Sequence, residues 1–204
     1  MSICAVIFDF GEVLVRMEDL SGQRKWEKRL GLREGELADA VFRSEVTYRS
    51  MIGEATEADV WNHVGASYGL NDQERDELRR DFWSGDQLDA ELVGFLRSLR
   101  PRYKSAILSN AWPGSREIFT QTFGLGDVVD EMIISAEERV AKPDARIYQI
   151  TLSRLGVQPE DAIFVDDLAE NVRGAQAVGM PSIRFESTEQ TIAEVQEFLD
   201  GRAE

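Results

Sequence analysis

Apolar residues in this chain fall into short, nearly unbroken runs separated by longer amphipathic stretches. The first run, Ala5-Val6-Ile7-Phe8, stops at Asp9 and meets a glycine two residues later, Gly11. A run of that length bounded by a turn signal predicts a strand buried on both faces. Ser105–Leu108, Met132–Ile134, Ala162–Val165 and Pro181–Phe185 repeat the pattern. Between them the period changes from two to about 3.6. Leu88, Leu92, Phe95, Leu96 and Leu99 mark one helix that ends before Pro101. Residues 113–123 predict a second, and Asp144 opens a third with Ile147, Tyr148, Ile150, Leu152 and Leu155 inward. Val172, Ala175, Ala177 and Val178 carry a fourth to Gly179, and Ile192, Val195, Phe198 and Leu199 a fifth. Strands alternating with helices predict an α/β fold: a Rossmann-like parallel sheet of five or more strands, flanked by helices and joined by right-handed crossovers.

The stretch from about Asp19 to Trp83 breaks this alternation. Trp26, Leu30, Leu37, Val41 and Phe42 recur at helical spacing, as do Val60, Val64 and Tyr68 after Thr56, an N-cap with Asp59 three residues on. Gly31, Gly53 and Gly69 sit at predicted helix ends. Four or so short helices are expected. The chain therefore divides into an α/β core, residues 1–15 and 84–204, and a helical insertion, residues 16–83.

Charge narrows the function. A net of −15 is the wrong sign for a phosphate backbone, so no nucleic-acid partner is expected. No apolar run approaches a membrane span, and no signal peptide is evident, which points to a cytoplasmic protein, monomer or homodimer. Cys4, the one cysteine, reads as a small buried hydrophobe. His63 is the one histidine and reads as structural, so an enzyme built on this chain must work with carboxylates, a lysine and a metal.

Those groups occur at strand ends: Asp9, then Ser109-Asn110, then Lys142, then Asp166-Asp167. Each has an ordinary reading by itself, as a helix cap for the serine and the acids or a solvated loop residue for the lysine. Together, in a parallel sheet, they converge on the carboxyl edge where α/β proteins bind ligands. Phosphoryl transfer needs this set. A carboxylate serves as nucleophile, hard oxygens hold Mg²⁺, and a compact ammonium fixes Asp9 and the phosphoryl oxygens. A hydroxyl and backbone N–H groups at Ser109 and Asn110 cradle phosphate.

The order Asp9-Phe10-Gly11-Glu12-Val13, Leu108-Ser109-Asn110, Lys142-Pro143 and Val165-Asp166-Asp167 resembles the four motifs of the haloacid dehalogenase-like hydrolase superfamily. The helical insertion resembles its small C1 cap. Residues 142–148 and 166–171 are most similar to the group of α-D-glucose-1-phosphate phosphatases and the N-terminal phosphatase domain of epoxide hydrolases. The resemblance implies a Mg²⁺-dependent phosphatase of small phosphate esters, sugar phosphates favoured, acting through an aspartyl-phosphate. It makes Asp9, Ser109 and Lys142 catalytic, and Asp9, the Gly11 carbonyl, Asp166 and Asp167 the metal set, with Asn171 in support. One position departs. Most phosphatases of the superfamily carry an aspartate, the general acid, where Gly11 stands here. Glu12 is the neighbouring acid, turned away by chain alternation. The departure keeps a non-catalytic phosphometabolite-binding protein open beside the phosphatase, and a metal-free haloacid dehalogenase is the third reading. Arg43, Tyr48 and Arg49 are the insertion residues expected to meet substrate, with Arg43 and Arg49 as candidate anion binders. Trp112 is placed either at the pocket mouth or against the insertion.

Overall fold

A computed structural model describes residues 3–201. In chain order it runs β1 (Ala5–Phe8), β2 (Val15–Met17), α1 (Ser21–Leu30), α2 (Glu36–Phe42), α3 (Glu45–Met51), α4 (Glu57–Ser67) and α5 (Asp72–Phe82). It continues through β3 (Asp86–Leu88), α6 (Ala90–Leu99), β4 (Lys104–Ser109), α7 (Ser115–Glu117) with a π-turn over Ile118–Thr122, β5 (Glu131–Ile134) and α8 (Ser135–Glu138). It closes with α9 (Ala145–Leu155), β6 (Ala162–Asp166), α10 (Ala169–Ala177), β7 (Ser182–Arg184) and α11 (Thr188–Leu199).

Five strands form a parallel sheet in the order β5-β4-β1-β6-β7, as the sequence predicts. The apolar run at the N-terminus is its centre. All four residues of β1 are fully buried, because both faces of the sheet are covered. Alternation sorts the core cleanly. Val6, Phe8, Ile107, Ile163 and Val165 pack on one face with Leu92 and Leu96 of α6 and Val195 of α11. Ala5, Ile7, Ala106, Leu108 and Phe164 pack on the other with Ile147, Leu152 and Leu155 of α9. Register aligns Phe8 with Ile107 and Val165, so Asp9, Ser109 and Asp166 leave the sheet at nearly one level.

The helical segment has five helices, where four or so are expected. Ser44 separates α2 from α3 by accepting a hydrogen bond from the Thr47 N–H, a cap hidden inside what reads as one apolar period. Thr56 and Asp59 form the expected capping box, each side chain bonded to the other's backbone N–H. Trp26, Leu37, Val41, Val60, Trp61, Leu78 and Phe82 make a separate hydrophobic cluster here. Two three-residue strands go undetected in the sequence. Val15–Met17 pairs antiparallel with Asp86–Leu88, lacing together the chain going into the helical segment and the chain coming out. Leu88 therefore belongs to a strand rather than to the following helix, which starts after Asp89 caps it through the Leu92 N–H. Such strands are too short to show a period of two.

The helical segment also touches the core at Gly53. A Cβ there would lie 2.4 Å from the Ala136 carbonyl oxygen of α8, and its φ is +72°, so only glycine fits.

Candidate active site

Lys142 is the hub. Its side chain is 1% exposed, and its Nζ lies 2.7 Å from Asp9 Oδ1 and 2.6 Å from Asp166 Oδ2. Burial works against the ammonium, but the two carboxylates overcome it and hold its pKa above the ordinary lysine value. Residues separated by 133 and 24 positions along the chain thus share one ammonium because β1 and β6 are neighbours in the sheet.

Asp9 is buried at the end of β1. Its Oδ1 takes both the Lys142 ammonium and the Phe10 N–H, at 2.7 Å. Oδ2 makes no hydrogen bond among the described residues. Burial pushes the Asp9 carboxyl up to about 7, Lys142 opposing and Asp166 and Asp167 adding to the rise.

Asp166 and Asp167 are adjacent in sequence but occupy different environments. Asp166 is fully buried and saturated: Lys142, the Leu168 N–H at 2.9 Å and both contacts of the Asn171 amide hold it. Asp167 is half-buried, and its carboxylate has no side-chain partner among the described residues. Burial raises it to about 6, with Asp166 and Glu12 adding to the effect. Oxygens of Asp9, Asp166 and Asp167 all lie within 4.8 Å of one another. When all three are ionised, three carboxylates against one ammonium leave two negative charges, the charge a divalent cation balances. Hard oxygens at this spacing suit Mg²⁺. Asn171 Oδ1 is buried and has no partner among the described residues.

Asn110 has a role that its strand-end position does not reveal. Its Oδ1 accepts from the Lys142 N–H at 2.8 Å, and its Nδ2 donates to the Lys142 carbonyl at 3.0 Å. The carboxamide therefore clamps the loop that carries the lysine. Ser135 does the same for the loop after β4, bonding both the N–H and the carbonyl of Ala111. Tyr148 of α9 donates to the Asn171 carbonyl at 2.8 Å. Gly174 lets α10 approach Pro143, where a Cβ would meet the Pro143 carbonyl at 2.9 Å. None of these contacts has a short-range sequence signal. Ser109 is buried, and its hydroxyl has no partner among the described residues.

Gly11 is exposed, and a Cβ there would meet nothing within 4 Å. Beside it Glu12 takes φ +56°, left-handed without being glycine, at a cost of about 1–2 kcal/mol. Its charge reaches Asp167 and also Asp86, whose carboxyl burial and Glu12 together push up to about 6.

The arginines of the insertion have acidic partners of their own. Arg43 is paired with Asp39 at 3.0 Å, and Arg49 with Glu54 at 3.8 Å. Tyr48 is 60% exposed, and His63 is exposed on α4. Trp112 is buried against the insertion, its ring 5.9 Å from that of Trp83 and 6.4 Å from that of Trp61.

A buried carboxylate, a lysine and paired acids thus meet at the carboxyl edge of a parallel sheet, where α/β proteins bind ligands. The chain belongs to the haloacid dehalogenase-like hydrolase family, whose model matches residues 3–179. It is 26% identical over 200 residues to a sesquiterpene phosphatase of Aspergillus oryzae, covering 96% of both chains. It is 29% identical to a phosphatase of Mycobacterium tuberculosis over 94% of this chain and 91% of that one. A 70-residue stretch, 34% of the chain, is 39% identical to mouse acyl-CoA dehydrogenase family member 10 and spans 6% of that protein. Among solved structures, a family enzyme of Bacteroides thetaiotaomicron in complex with magnesium and inorganic phosphate superposes with a TM-score of 0.75. It is 20% identical, over 91% of this chain and 95% of that one. An L-2-haloacid dehalogenase of Xanthobacter autotrophicus gives 0.69 at 24% identity, over 98% and 83%.

Proposed function

We propose that the protein is a Mg²⁺-dependent phosphatase of small phosphate esters that works through a phosphoryl group carried on Asp9. The observation that carries the reading is the single ammonium of Lys142 shared by Asp9 and Asp166, with Asp167 left free beside them. Whole-length likeness to two phosphatases supports it. Asp9 attacks phosphorus through Oδ2, the oxygen not held by Lys142 and the Phe10 N–H; the ester bond breaks and the alkoxide departs. Lys142 fixes Asp9 and offers its charge to the phosphoryl oxygens. Ser109 presents its free hydroxyl to the same group. Water then attacks phosphorus and releases phosphate, returning Asp9. Asp9, Asp167 and the Gly11 carbonyl would hold the Mg²⁺, which supplies charge neutralisation to the phosphate. Asp166, saturated by hydrogen bonds, positions Lys142 and supports the metal set. The general acid is missing at Gly11, so esters whose alcohols leave readily are the fitting substrates.

A dehalogenase reading draws on the Xanthobacter likeness, but two free negative charges at the site oppose a carboxylate substrate. The preference for sugar phosphates rests on the resemblance to glucose-1-phosphate phosphatases and gains no support from Arg43 and Arg49, which are already paired. The test is hydrolysis of a phosphate ester panel with Mg²⁺ or with chelator. Turnover that needs the metal and vanishes in Asp9→Asn supports the reading. Turnover in that variant, or dehalogenation that survives chelator, refutes it.

A further inference from the structure

Trp112 stands two residues beyond Asn110 on the loop that leaves β4, yet its ring belongs to the hydrophobic cluster of the helical segment. Trp83, Trp61 and Phe42, all from that segment, have ring centroids 5.9, 6.4 and 6.3 Å from it. An indole is a large, stiff anchor, and its contacts with other rings are directional as well as apolar. Its residue is 7% exposed, so the loop cannot shift without disturbing a packed core in the insertion. A second link runs through α8. Gly53 of the insertion lies against the Ala136 carbonyl, and the hydroxyl of the neighbouring Ser135 holds the N–H and the carbonyl of Ala111. Both links end on Asn110-Ala111-Trp112, whose first residue clamps the Lys142 backbone.

We infer that Trp112 is a positioning residue: packing of the insertion around its ring sets the Asn110 clamp, and so the place of the Lys142 ammonium between Asp9 and Asp166. The insertion thereby acts on the chemistry through the β4 loop, in addition to anything its side chains do to the ester. The inference rests on the phosphatase reading of the same site.

Amide hydrogen exchange at Lys142 reads the clamp directly, because that N–H is the one Asn110 Oδ1 accepts. The Phe164 amide in β6, bonded to the Pro181 carbonyl, reports general unfolding. In Trp112→Ala the Lys142 amide should exchange at least about tenfold faster relative to Phe164. With an aryl phosphate and Mg²⁺ on the full chain, kcat should fall about 10²-fold with KM nearly unchanged. Trp112→Phe should restore most of both. Trp83→Leu leaves Trp112 in place and weakens one ring contact, so it reads the same coupling where Trp112→Ala does not fold. Lys142 protection that is unchanged, or that falls only in step with Phe164, overturns the inference, as does a rise in KM with kcat untouched. If the wild type hydrolyses no phosphate ester, the phosphatase reading falls, and exchange at Lys142 against Phe164 alone decides this one.

Discussion

Asn110 grips Lys142 by both ends of its backbone, taking the N–H on its carboxamide oxygen and giving its own N–H to the carbonyl. The end of β4 is thereby fixed to the loop whose ammonium serves β1 and β6. Asn110→Ala should lower kcat about 10²-fold with little change in KM, since a small displacement of a charged group is costly in such sites. Thermal unfolding should show a loss of about 1–3 kcal/mol, as two buried backbone groups lose partners. A kcat within twofold of wild type would show that the lysine is held by other means.

Lys142→Met tests the hub itself. Removing one partner of a buried ion pair costs about 3–5 kcal/mol, and here two carboxylates are stranded, with 11% and 0% side-chain exposure. Losing the ammonium raises the folded-state pKa of Asp9, already up near 7, further above its ordinary 3.8. The deficit is then largest at neutral pH and shrinks as acid protonates Asp9. Adding Asp166→Asn should recover part of the stability, read by denaturant unfolding at pH 5 and 7.5.

Metal should stabilise the fold measurably. At a hundredfold excess over Kd a ligand adds about 2.7 kcal/mol, which in a chain of this size is about 5–10 °C in Tm. Mg²⁺ against chelator, followed by scanning calorimetry, should show that shift in the wild type. Asp167→Asn should abolish most of it and also raise the Tm of the metal-free protein by removing one crowded charge.

Gly11→Asp is expected to fold, because an added Cβ meets no atom within 4 Å and no positive φ is needed. It should raise kcat for esters with poor leaving groups by about 10²-fold, the lower range of general acid catalysis. No gain across a leaving-group series would show that another group already donates the proton.

Asp89 tests how the flanks are held. Its carboxylate takes the Leu92 N–H, the Thr188 hydroxyl and the Arg16 guanidinium, joining β2, α6 and α11. Burial opposes its ionisation, but these bonds outweigh it and hold the carboxyl below its ordinary value. That stability is complete above the unfolded pKa near 3.8 and disappears as pH falls through the lower folded value. Asp89→Asn should therefore cost about 1–3 kcal/mol at pH 7, with the gap to wild type closing in acid. A gap constant with pH would rule out the charge as its source.

What the sequence revealed and what it hid divide along contact range. The strands around Asp9, Ser109 and Asp166 were legible because both faces of each are buried, so the apolar run is unbroken and its polar end conspicuous. Thr56 and Asp59 were legible because a capping box is local. The clamp from Asn110 to Lys142 spans 32 positions and the bond from Tyr148 to Asn171 spans 23; neither leaves a periodic trace. The β2–β3 ribbon has three residues per strand, too few for a pattern, and Leu88 consequently mimicked a helix position. Trp112 could be assigned to pocket or insertion from sequence alone, and packing against Trp61 and Trp83 decides it.

That ribbon also bears on how the molecule tolerates change. Because Val15–Met17 and Asp86–Leu88 are zipped side by side, the sheet meets the intervening segment as if it were a single hairpin tip. Lengthening or trimming the loops that lie beyond alters closure entropy only logarithmically. A segment grafted between Met17 and Asp86 would still have to supply the packing that Trp61 and Trp83 give Trp112 and the close approach of Gly53 to Ala136.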